Sequence, residues 1–68
     1  MQEVKDARIR KGFTQLQLAE EVGVVQSAIS EIESGNLRPS TPLLVRLADV
    51  LELDLDALVR AAVALSAN

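Results

Sequence analysis

The 68-residue sequence predicts an all-α fold: one domain, residues 1–68, built as a compact five-helix bundle. Three observations predict it. The apolar fraction is 49%, mostly Leu, Val, Ala and Ile with a single aromatic residue, and no stretch alternates polar and apolar residues as a half-buried strand would. Gly12, Gly23 and Gly35 each close a short amphipathic run. Thr14, Ser40 or Thr41, and Asp54 stand where such runs should open, and each offers a side-chain oxygen to a helix N-terminus. At this length a single core is near the lower limit that sustains a fold.

The first helix is expected over roughly Gln2 to Lys11, with Arg10 and Lys11 in its last turn, where the helix dipole favours cations. Thr14-Gln15-Leu16-Gln17 fits a capping box, so the second helix starts there and ends near Val22. The third runs from about Gln26 to Glu33. Its N-cap slot holds Val25, which has no side-chain acceptor, a deficit of ~1 kcal/mol. Asn36 to Pro39 is a loop, and Pro42 in the first turn of the fourth helix costs little. Leu44, Leu47, Ala48 and Leu51 give that helix its apolar stripe. Asp54 caps the fifth, whose inner face is expected to be Leu55, Leu58, Val59 and Ala62. From Ala61 to Leu65 the fifth helix is apolar on every side.

Phe13 to Glu33 is the most informative stretch, because it reads as two short helices joined at a sharp turn around Gly23. In the second of them Val25, Ala28, Ile29 and Ile32 follow the spacing of a buried face, and Ser27, Ser30, Glu31 and Ser34 repeat it on the opposite side. A helix anchored by one face, with small polar side chains on the other, suits the major groove of DNA.

Composition excludes other functions. Without Cys or His there is no thiolate or imidazole metal site and no usual general base, so no cofactor, metal or enzymatic activity is expected. The longest wholly apolar run is too short to span a bilayer, and Glu3, Lys5 and Asp6 occupy the place of a signal peptide's apolar region. A cytoplasmic protein with no membrane or small-molecule partner is expected. The net charge of −3 weighs against nucleic acid. Distribution offsets this, since Asp49, Glu52, Asp54 and Asp56 cluster away from the proposed groove face.

Arg8, Thr14-Gln15, Leu18-Ala19, Val22-Gly23-Val24, Ile29-Ser30, Ile32-Glu33, Gly35, Pro39, Leu47-Ala48 and Leu51 together resemble the phage repressor and Cro type of helix-turn-helix domain, over about Val4 to Val59. The resemblance implies a lambda-repressor-like five-helix domain that binds double-stranded DNA, usually as a homodimer on a short inverted repeat. It implies that Ala19 lets the two motif helices approach closely and that Gln15 meets the DNA backbone. Gln26, Ser27 and Ser30 would meet base edges, and Arg8 and Glu33 would form a largely buried ion pair. Three positions depart from the common pattern: Val25 for a Ser or Thr, Glu31 for a basic or neutral polar residue, and Ser34 for an Arg, Lys or Asn. They leave the recognition helix without a cation.

Gln26 has the chemistry to pair with adenine N6/N7, and Glu31 either accepts from cytosine N4 or repels phosphate as a surface acid. Arg38, Asn36 and the backbone amides from Gly35 to Ser40 are candidates for a phosphate clamp, and Lys11 for a further backbone contact. Residues 58–66, with Leu58, Ala61, Ala62 and Leu65, are the candidate dimer interface; alternatively this segment folds back to complete the core. Two functions follow. One is a transcriptional regulator acting by operator occupancy, and the other a protein-interaction module on the same scaffold.

Overall fold

In the computed structural model, which describes residues 1–65, the chain forms α1 (Gln2–Lys11), α2 (Gln15–Val22), α3 (Gln26–Ser34), α4 (Thr41–Leu51) and α5 (Leu55–Ala64). Local chemistry sets the boundaries. Thr14 Oγ1 accepts from the Gln17 amide at 3.0 Å, and Gln17 Oε1 accepts from the Thr14 amide at 2.9 Å, completing the expected capping box. Ser40 and Asp54 cap α4 and α5 through their side chains. Gly12, Gly23 and Gly35 end the first three helices in the left-handed region that glycine adopts without a Cβ penalty. The end of α4 uses Glu52 at φ 56 instead, the one non-glycine residue with positive φ among those described.

Helix α2 packs on α3, α1 lies across α3 and α4, and α4 also contacts α2 and α5. Val4 and Ala7 of α1, Leu18, Ala19 and Val22 of α2, Ile29 and Ile32 of α3, and Leu44, Leu47 and Leu51 of α4 fill the centre. Their stripes recur at three- and four-residue spacing, so each helix buries one face and keeps the other in water. No described helix is long and apolar enough to cross a membrane.

Three expectations about burial need correction. Val25 is 69% exposed rather than part of the α3 stripe. As the N-cap residue it has extended backbone (φ −80, ψ 154), so helical periodicity does not govern its side chain. Leu55, the first residue of α5, is 39% exposed and lies outside the core, whereas Val59 packs against it. Leu58 and Ala62, expected at a dimer interface, are 2% and 0% exposed within the single chain. The i, i+4 pair turns into the core, which leaves no surface of theirs for a partner. Ala61 is half-buried, Val63 is 50% exposed, and the exposed Leu65 would lie 3.8 Å from a Cβ on Gly35. The end of α5 therefore returns beside the end of α3. Ser66 lies outside the described residues.

Candidate nucleic-acid interface

Helix α3 is anchored from below. Ile29 and Ile32 are fully buried, and Ala19 of α2 is fully buried where the two helices approach. The turn between them is fixed by the Gly23 and Val24 amides, which both donate to Ala19 O at 2.9 and 3.0 Å. Arg46 of α4 adds a cation at the C-terminus of α2, with Nη1 donating to Val22 O at 3.3 Å. Held this way, α3 leaves Gln26, Ser27, Ser30, Glu31 and Ser34 exposed to solvent. Ser34 Oγ donates to Glu31 O at 3.1 Å, so Ser34 keeps acceptor capacity but has used its hydrogen.

A charged network fixes the orientation of this face. Arg8 Nε lies 2.6 Å from Glu33 Oε2, its Nη2 donates to Glu33 Oε1 at 3.2 Å, and its Nη1 donates to Phe13 O at 2.9 Å. Gln15 Nε2 also donates to Glu33 Oε1, at 3.1 Å. The Arg8 and Glu33 side chains are 12% and 4% exposed, and no buried side-chain polar atom among the described residues lacks a partner. One arginine thus joins α1, the α1–α2 turn and α3, while Gln15 ties α2 to the same carboxylate. Gln15, expected to meet the DNA backbone, is half-buried and retains one amide hydrogen and its carbonyl oxygen for such a contact.

The loop after α3 is only partly available. The Gly35 amide donates to Ile32 O at 3.2 Å, and those of Asn36 and Leu37 donate to Glu31 O at 2.9 and 3.2 Å. These three amides close the helix C-terminus and cannot also grip a phosphate, which removes them from the expected clamp. The side chains of Asn36 and Arg38 remain exposed beyond them. Lys11 pairs with Glu52 at the far end of α1, where it holds the Glu52 carboxyl below the usual carboxylate range by hydrogen bond first and charge second.

Next to α3 an open polar cleft of about 400 Å³ is lined by Gln2, Lys5, Gln15, Ser30, Glu33 and Ser34. It brings Lys5 of α1 to the flank of the recognition helix, a residue that sequence reasoning had not singled out. The signal was present: Lys5 lies three residues before Arg8, on the helix face that Arg8 turns toward α3. Arg46 had no comparable signal, since its contact with Val22 spans 24 residues.

A helix-turn-helix family profile matches residues 4–58. The chain is 38% identical over 55 residues to the ImmF control region 10 kDa protein of Bacillus phage phi105, covering 81% of this chain and 61% of that protein. It is also 38% identical over 55 residues to the HTH-type transcriptional regulator YazB of Bacillus subtilis (strain 168), covering 81% of this chain and 80% of that one. The chain therefore spans less than two thirds of the length of the phage relative. No solved structure matches at a significant level.

Proposed function

The chain belongs to the helix-turn-helix family, in its phage repressor type, and from that premise we propose that it is a sequence-specific, double-stranded DNA-binding transcriptional regulator, not an enzyme. The observation that carries the reading is the split of α3 into two faces. Ile29 and Ile32 are fully buried while Gln26, Ser27, Ser30 and Glu31 are all exposed, as a helix entering the major groove requires. Gln26 is the principal base-reading residue, Ser27 and Ser30 let the helix sit deep, and Glu31 acts on specificity. Gln15, Asn36 and Arg38 contact the backbone.

The regulator acts as a homodimer on a short inverted repeat, by occupying its operator. A two-fold pair of this kind sets its recognition helices about one DNA turn, ~34 Å, apart. Since Leu58 and Ala62 are buried, the self-association surface at the end of α5 falls to Ala61, Val63 and Leu65.

Fluorescence anisotropy against a pool of duplex DNA at about 50 and 200 mM salt, with Gln26→Ala and Arg38→Ala beside the wild type, tests the reading. Selection of one inverted repeat is expected. Gln26→Ala should then lose about 1–3 kcal/mol of discrimination at a single base pair. Arg38→Ala should weaken binding to all duplexes alike and lower the salt slope by about 0.9. A folded wild type that binds no duplex even at low salt would leave the protein-interaction reading in its place.

A further inference from the structure

The exposed face of α3 carries no cation, yet a helix about 10–12 Å across in a groove about 12 Å wide has a row of phosphates close along each flank. Positive charge beside α3 therefore bears on affinity as directly as charge upon it. On the α1 side the cleft supplies such a charge. Lys5 is exposed there, with Gln2 next to it and Ser30 and Ser34 opposite. Glu33 lines the same cleft, but Arg8 neutralises it, so the unpaired charge is the ammonium of Lys5. Lys5 makes no ion pair or hydrogen bond through its side chain among the described residues.

The position of Lys5 is fixed from two directions. One turn further along α1, Arg8 is drawn into Glu33 of α3. At the start of α1 the Met1 nitrogen donates to Ile32 O at 2.7 Å and to Glu33 O at 3.1 Å. The first turns of α1 are thus pinned along the C-terminal half of α3. Gln2 Nε2 donates to Asp6 Oδ1 at 3.0 Å and keeps its second amide hydrogen.

We propose that Lys5, assisted by Gln2, binds a backbone phosphate of the DNA strand that borders the recognition helix on the α1 side. The inference rests on the DNA-binding reading and adds to it a contact from outside the helix-turn-helix. A lysine serves here as a point charge, so the contact supplies affinity and register rather than base choice.

The test uses the full chain and the duplex that the wild type selects from a random pool, titrated from 50 to 200 mM NaCl. Lys5→Gln should bind about eightfold more weakly at 0.1 M salt and lower the salt slope by about 0.9, with an unchanged Tm. Lys5→Arg should restore both. Arg60→Gln removes the same charge from the exposed Arg60–Asp56 pair on α5 and should leave the slope alone. A wild-type slope for Lys5→Gln would overturn the contact while leaving the DNA reading intact. An equal flattening by Arg60→Gln would also overturn it, in favour of diffuse charge. If the wild type selects no duplex, both readings fall together.

Discussion

Helix α1 delivers one cation to each of two ion pairs, and the pairs differ in nearly everything except their charges. Arg8 meets Glu33 with side chains 12% and 4% exposed, and Gln15 adds a further donor to the same carboxylate. Lys11 meets Glu52 with side chains 32% and 75% exposed, and no other side chain among the described residues joins them. Water solvates the second pair whether or not it forms, so little free energy depends on it. The first has lost its water, and its charges are tolerable only because each is met. The buried pair also sits under α3, so the residue that threatens stability when removed is the one that aims the DNA-facing helix.

The largest expected effect tests this contrast directly. Glu33→Ala leaves the Arg8 guanidinium and the Gln15 amide without their shared acceptor in a nearly closed site. A loss of ~3–5 kcal/mol is expected, a large share of the ~5–15 kcal/mol of a typical domain. Urea denaturation would show it as a midpoint far below wild type. A midpoint near wild type would mean that solvent reaches this pair too, and the contrast with Lys11–Glu52 would fail.

The two pairs also differ in how far the sequence disclosed them. Helix boundaries were legible because their causes are local: Thr14 with Gln17, Gly12, Gly23 and Gly35, Ser40, Asp54. The Arg8–Glu33 pair spans 25 residues, and it came from a family resemblance rather than from any spacing. Nothing in the sequence marks Lys11 and Glu52 as partners across 41 residues, so Lys11 reads there as a cation matched to the helix dipole, with a DNA-backbone contact as its second role. The inward amides of Asn36 and Leu37 were derivable, because a glycine at the end of α3 commits the following amides to its last carbonyls. The dual apolar character of α5 hid which side faced inward until packing put Leu58 and Ala62 in the core.

A smaller effect is expected at the uncapped start of α3. Val25 leaves the N-terminus of α3 without a side-chain acceptor, and at 69% exposure it has little packing to set against that loss. Val25→Thr supplies the acceptor and should raise stability by ~1 kcal/mol, about 4–8 °C in Tm for a domain of this size. A fall in Tm would show that the valine packs on something its exposure conceals, and burial would then be a poor guide to energetics at this face.

The smallest effect lies at the exposed pair, where two contributions oppose each other in one residue. Glu52 holds φ 56, a conformation that glycine adopts at lower cost, while its carboxylate gains a partner in Lys11. Glu52→Gly removes both, and because solvent weakens the pair, relief of the backbone should win by roughly 2–5 °C in Tm at pH 7. Acid makes the sign separable. Lys11 lowers the Glu52 pKa in the folded protein, so the pair's contribution is present above the unfolded glutamate value of about 4.3 and is lost as pH falls through the lowered one. The wild type alone has this contribution to lose, so the advantage of Glu52→Gly should widen as pH drops through that window. High salt at pH 7 should widen it in the same direction by screening. A margin that stays constant with both pH and salt would mean that the pair adds nothing and that backbone strain alone separates the two proteins.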